Sequence, residues 1–278
     1  MANSSKIIEE RQDQWGAEQA RDPKWQSYLT SLRDNLFLGH LNPDTETEFR
    51  TGDGSELRDA RTRPAKMRAL ISSSALVVNF FDSWRFADKA ALARVFGIES
   101  AISRLSFEFK TDGYPVGPRS PNLDLMLYLA DGQRVAVESK FAEPYRSSEG
   151  FGALSARYFP SGECLWSQAR LPAAQRIADR LRPEWIHLDV PQLLKHLLGL
   201  ASDPSKPATL VYLWFDTGSA DANAHRKEVE RFKGEVAGDS VVIRSATYQE
   251  IFKGISESEE PVVGWHSYMS RRYFAESP

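Results

Sequence analysis

The 278-residue chain predicts an α/β fold, a mixed β-sheet flanked by helices, with helical additions at the N-terminus. Three observations predict it. Residues 102–141 carry alternating apolar and polar runs folded back at Asp131-Gly132, the pattern of an antiparallel meander. Residues 208–216 (ATLVYLWFD) are an unbroken apolar run, the mark of a strand covered on both faces. Segments with helical spacing precede, separate and follow these runs, so helices must pack on the sheet.

The elements follow in order. Trp25, Tyr28, Leu29, Leu32, Leu36 and Phe37 recur at helical spacing and predict a helix over 25–37. Residues 42–64 are polar and turn-rich and read as a loop. Residues 66–84 are apolar enough for a buried helix, and 88–96 make a short second one. Strands are expected at 102–110, 123–130 and 134–141, with a Pro- and Gly-containing loop over 111–122. Helices at 166–181 and 189–201, the strand at 208–216, a charged helix over 225–236, a strand at 241–245 and a helix start at 248–253 complete the pattern. The expected organisation is an N-terminal helical extension (1–45), a principal domain (46–256) and a C-terminal tail (257–278).

Composition narrows the function classes. With 41% apolar and 26% charged residues, the chain has the balance of a water-soluble globular protein. Its net charge of −3 excludes a globally basic binder but allows a local basic strip against phosphates. Cys164 is the only cysteine, which excludes an internal disulfide and a cysteine-rich zinc site. No apolar signal core opens the sequence and no run reaches the length of a membrane span, so a cytoplasmic setting without membrane contact is expected. There is no phosphate-cradling glycine loop followed by Lys-Ser or Lys-Thr, and no Gly-x-Ser-x-Gly elbow.

The chemistry concentrates on the hairpin. Alternate residues of a strand share a face, so Glu138 and Lys140 project together, away from Val135, Val137, Ser139 and Phe141. Asp124, flanked by Leu123 and Leu125, is a carboxylate in an otherwise apolar strand, costly to bury unless paired or metal-bound. The turn brings Asp124 beside Glu138, and two adjacent carboxylates call for a cation. Mg²⁺, a hard ion that prefers oxygen ligands and retains waters, answers that need. An acidic-x-Lys tripeptide alone is weak evidence, since about one or two arise by chance in a chain this long. Asp22-Pro23-Lys24 and Glu108-Phe109-Lys110 also match, but only Glu138-Ser139-Lys140 follows an acid-bearing strand across a tight turn.

Pro121-Asn122-Leu123-Asp124 followed by Glu138-Ser139-Lys140 resembles the PD-(D/E)XK, or restriction-endonuclease-like, nuclease superfamily. The order of strands and helices is similar to its common core. Ser72-Ser73-Ser74-Ala75-Leu76-Val77-Val78-Asn79-Phe80-Phe81 resembles a helix of a bacterial branch of restriction-endonuclease-like proteins. The resemblance covers about residues 50–255. One departure is that Asn122 and Leu123 separate Pro121 from Asp124. The resemblance implies Mg²⁺-dependent cleavage of DNA, with Mn²⁺ as the alternative ion. Asp124 and Glu138 would be ligands and Lys140 the catalytic lysine.

Sites of this kind often recruit a further acid from upstream; Glu56 is the first candidate, Glu108 the second and Glu99 the third. Arg58, Arg61, Arg63, Lys66 and Arg68 form a basic strip near Glu56 that suits nucleic-acid phosphates, with a solvated loop as the equal alternative. Gln192 and His196 share a helical face, and an interface role is the plainer reading of His196. Asn79 is expected to cap a local backbone group, and Tyr145 to cover the core edge, with stacking on a base as its alternative. The expectation is a metal-dependent DNA endonuclease. RNA is the alternative substrate, a homodimer fits double-strand cutting, and the rival is an inactive nuclease-fold module that binds nucleic acid or a protein.

Overall fold

The computed structural model describes residues 3–52, 56–111, 116, 120–146, 151, 154–159, 165–180 and 184–274. Helices α1 (Ser4–Gly16), α2 (Pro43–Thr51), α3 (Ser73–Phe81) and α4 (Ala90–Val95) precede strands β1 (Ile102–Lys110), β2 (Asn122–Leu129) and β3 (Arg134–Lys140). Then come α5 (Leu165–Gln168), α6 (Pro172–Asp179), α7 (Val190–Ala201), β4 (Ala208–Trp214), α8 (Ala220–Glu235), β5 (Val242–Thr247), α9 (Tyr248–Lys253) and α10 (Trp265–Met269). A π-helical turn, Ser270–Phe274, follows α10. Cys164 lies outside the described residues. No described helix is long and apolar enough to cross a membrane.

The five strands form one mixed sheet in the order β1-β2-β3-β4-β5. The first three are antiparallel, and β4 and β5 each join in parallel. The β2–β3 turn follows from its sequence. Gly132 takes φ +87°, open to a residue without Cβ, and the Asp131 carboxylate accepts the Gln133 N–H at 3.0 Å. Strand β4, at the middle of the parallel half, has Leu210 through Trp214 all buried, as its apolar run requires.

The two sheet faces carry separate cores. Leu125, Leu127, Val135, Val137 and Leu213 pack with α3, α9 and α10 through Leu76, Phe80, Ile251 and Trp265. Met126, Ala136, Leu210, Tyr212 and Trp214 pack with α6, α7 and α8 through Ala174, Leu193, Leu197 and Phe232. Side-chain caps fix the helix starts. Ser72 accepts the Ala75 N–H at α3, Asp189 accepts the Gln192 N–H at α7, and Thr247 with Glu250 forms a capping box at α9. The outer edge of β1 is occupied by side chains: the Glu48 carboxylate accepts the Phe107 N–H and Arg85 donates to the Leu105 carbonyl.

Local expectations fail in four places, one being the helix expected over 166–181, which a turn at Arg170 (φ +57°) divides into α5 and α6. Residues 25–37 are not a helix: only Arg33–Asn35 make a short 3₁₀ turn, because backbone bridges Arg21↔Leu29 and Tyr28↔Ala69 hold the chain extended there. Residues 42–64 are not all loop, since Pro43–Thr51 is helical, with Pro at N1 and Thr45 and Phe49 buried. The expected 66–84 helix is divided into a 3₁₀ turn at Lys66–Arg68, α3, and a 3₁₀ turn at Asp82–Arg85. Helix α1 was hidden in the sequence because its buried stripe includes Ser4 and Gln12. Ser4 bonds Asp221, and Gln12 bonds the Arg272 backbone.

The terminal segments are built into the sheet's core. Ile8, Leu36 and Trp265 share a cluster with Leu125 and Val137. Arg272 is fully buried, stacks over Trp15 at 3.9 Å, and donates to both the backbone and side-chain oxygens of Asn35. Asn79, on α3, does not cap a local group as expected; its side chain bonds backbone groups across the fold. Its Oδ1 accepts the Phe37 N–H and its amide donates to the Asn35 carbonyl.

Candidate active site

The site lies where β2 and β3 part. Their ladder ends at Leu125↔Val137. One residue further, Asp124 does not continue it; instead its Oδ2 accepts the Ser139 N–H at 2.7 Å. The strand edge is thus closed by a carboxylate, and the side chains of Asp124 and Glu138 meet on the face shared with Ala136 and Lys140. From the opposite face, the Ser139 hydroxyl meets the Tyr248 hydroxyl at 2.6 Å, locking the strand beneath the site.

Glu138 is 2% exposed. Its Oε1 receives the Lys140 ammonium at 2.5 Å, and Lys140 also donates to Gln192 Oε1 at 2.8 Å. His196 Nε2, from one turn further along α7, stands 2.9 Å from Glu138 Oε2, at ion-pair distance but off the hydrogen-bond direction. Lys140 therefore points into the site between β3 and α7.

The electrostatics follow the geometry. Burial and the neighbouring Glu138 charge push the Asp124 carboxyl well above the usual carboxylate range, against the opposing pull of Lys140. Burial would raise Glu138 as well, but the Lys140 ammonium and His196 outweigh it and hold this carboxyl below its ordinary value. Burial alone would lower Lys140, yet Glu138, Asp124 and Glu143 keep it above the ordinary lysine range. Lys140 is cationic at neutral pH, while Asp124 has more negative charge around it than one ammonium neutralises. Two carboxylates and no sulfur ligand suit a hard divalent cation that keeps several of its own waters. Among the described residues Glu138 Oε2 accepts no hydrogen bond, and an oxygen-seeking ion would satisfy it. Among the described residues, no three His, Cys, Asp or Glu side chains converge as a complete metal cage.

The remaining expected residues separate. Glu56 receives Lys66 at 3.0 Å and the Ser74 hydroxyl at 2.9 Å, outside the hairpin. Glu108 stands closer. In β1, Phe107 pairs with Leu125 and Phe109 with Leu123, which aligns Glu108 with Asp124. Its backbone takes φ +50°, a conformation uncommon for a side chain of this size, and Asn122 Nδ2 donates to its Oε2 at 2.5 Å. A Cβ on Gly52 would come 2.8 Å from that carboxylate. Burial, with the Glu56 and Glu138 charges, pushes Glu108 up to about 7. Glu99 is exposed and precedes the start of β1.

The basic strip divides. Arg58 and Arg61 are exposed and make no ion pair with a described residue. Arg63 donates to the Pro64 carbonyl. Lys66 pairs with Glu56, and Arg68 with Asp22 and Asp59. Gln192 was legible only as a polar residue on the helix after β3. The (i, i+4) pair with His196 was the available signal, and its partners could not be read without the parallel return of β4 that seats α7.

The family described as Restriction Endonuclease associating with ARP matches residues 6–274. The chain belongs to this family. The match takes in α1 and α10 as well as the sheet, so this REase-ARP chain is a restriction-endonuclease-like protein through nearly its whole length. No curated protein and no solved structure matches it. In the REase-ARP chain the Asp124, Glu138 and Lys140 side chains occupy one end of a mixed, helix-flanked sheet.

Proposed function

We propose that this chain is a divalent-metal-dependent endonuclease that hydrolyses phosphodiester bonds in DNA. The observation that carries the reading is the convergence of Asp124, Glu138 and Lys140 where β2 and β3 part, with Lys140 directed inward. Asp124 and Glu138 would hold Mg²⁺, with Mn²⁺ as the alternative. Such an ion, when bound, polarises a phosphodiester and lowers the pKa of a coordinated water.

The chain's own groups do the rest. Lys140, held by Gln192, presents an ammonium that donates to the attacking water or to a non-bridging phosphate oxygen. Glu138 keeps that ammonium charged and aimed. The Ser139 N–H holds Asp124 in one orientation. Arg58 and Arg61, free of ion pairs with described residues, suit contact with the phosphate backbone. Because Lys140 is not spent on a surface ion pair, the arrangement favours an enzyme over a binding module.

The test is a supercoiled plasmid incubated with purified protein and Mg²⁺, beside an RNA of similar length. Nicking is expected for the plasmid, with loss in Asp124→Ala and Lys140→Ala. Equal cutting by wild type and both variants would sink the assignment, and preferential cutting of the RNA would move the substrate. Double-strand breaks would require two copies acting together.

A further inference from the structure

We propose that His196 is a positioning residue, a fixed stop against which the Glu138 carboxylate is aligned. This deepens the nuclease reading and rests on it. The carboxylate has a polar neighbour on each side: Lys140 donates to Oε1 at 2.5 Å, and His196 Nε2 stands against Oε2 at the ion-pair distance of 2.9 Å. The imidazole is 1% exposed, and among the described residues neither ring nitrogen has a hydrogen-bond partner. Buried polar atoms normally have partners, so an unpaired ring of this kind needs a reason to be polar. Glu138 Oε2 stands 2.9 Å from its Nε2, at ion-pair distance though off the hydrogen-bond direction.

The helix that carries the ring is fixed along its length. Asp189 caps its first turn, and Gln192 bonds Lys140 one turn before His196. At Gly199, a Cβ would lie 2.7 Å from Thr111 Oγ1, so α7 sits as close to the end of β1 as a glycine permits. The terminal torsion of a glutamate is broad and roughly two-fold, and Lys140 touches only one oxygen. Without the ring, the head of Glu138 can turn about that contact, and its second oxygen loses its aim. The imidazole acts through Glu138 and touches neither substrate nor reacting atoms.

The experiment compares full-length wild type with His196→Leu, His196→Gln and His196→Asn. Calorimetry measures Mn²⁺ binding, plasmid nicking gives kcat and KM, and near-ultraviolet circular dichroism checks folding. The Gln amide nitrogen can occupy the place of Nε2, whereas the Asn amide mimics only Nδ1. His196→Leu is expected to weaken Mn²⁺ binding about tenfold and to lower kcat with little change in KM. His196→Gln should recover most of both, and His196→Asn should not. If His196→Leu is unfolded, the Gln-against-Asn contrast still decides. Folded Leu with wild-type Mn²⁺ affinity, or Gln and Asn alike, overturns the inference while leaving the nuclease reading intact. A wild type that neither binds Mn²⁺ nor nicks DNA overturns the nuclease reading and this inference with it.

Discussion

Asp124 reaches across from β2 to take the backbone N–H of Ser139 on β3 at 2.7 Å. A side chain thereby replaces the next rung of the ladder, and the carboxylate stays beside Glu138 despite their repulsion. On the proposed reading, stability and function oppose each other at this position. Asp124→Asn keeps an acceptor for Ser139 and removes the repulsion. The variant is expected to melt above wild type at pH 8 in EDTA, yet to lose nicking by a factor of about 100 or more. Parallel thermal melts and plasmid assays check this, and a less stable or fully active variant contradicts it.

The raised Glu108 carboxyl sets a pH dependence. Its folded value of about 7 lies above the ordinary glutamate value of 4.5, so between these limits the folded state binds more protons than the unfolded state. The stability this contributes is fully present below pH 4.5 and is lost as pH rises through 7. Glu108→Gln removes the dependence. Its Tm in EDTA should gain on wild type between pH 5 and pH 8, by roughly 2–4 °C for about 1 kcal/mol after discounting solvent screening. A constant difference across that range would show that Glu108 does not titrate there.

The basic strip separates by partner. Arg58→Ala with Arg61→Ala should weaken binding of a DNA duplex and lower the salt slope by about one for each phosphate contact removed. Arg68→Ala, which breaks pairs with Asp22 and Asp59, should instead lower Tm. Fluorescence anisotropy at two salt concentrations, beside melts, separates these effects; an unchanged slope in the double variant excludes Arg58 and Arg61 from the interface.

Trp265 tests the end of the chain. It is fully buried, donates its indole N–H to the Asn79 carbonyl, and packs edge-on against Phe80 and Trp84. Trp265→Ala is expected to cost about 3–5 kcal/mol and to lower Tm on the order of 10 °C. A calorimetric scan close to wild type would mean that this segment is not part of the cooperative core.

Much of the sheet was legible because its signals were local. Asp131-Gly132 specified the turn, alternation put Glu138 and Lys140 on one face, and the 208–216 run marked the buried strand. What escaped depended on distant partners. Helix α1 buries Ser4 and Gln12, which are apolar in no sequence pattern and make sense only against Asp221 and Arg272. The spacing from Trp25 to Phe37 imitates a helix, but Leu29 and Leu36 are buried by a chain that wraps and pairs with residues near 69. Around the site, the hairpin could be read, while the approach of Gln192 and His196 required knowing that β4 returns parallel to β3. The alignment of Glu108 with Asp124 likewise needed the β1–β2 register and the positive φ that no residue pattern announced.

The contact between Arg272 and Asn35 spans 237 residues of chain. At about 5–20 residues synthesised per second, the earlier partner waits on the order of 10–50 s for the later one. Throughout that interval Trp15 and Asn35 have no guanidinium to hold them. Closure of this core is therefore timed by translation, since it waits for Arg272 to be made.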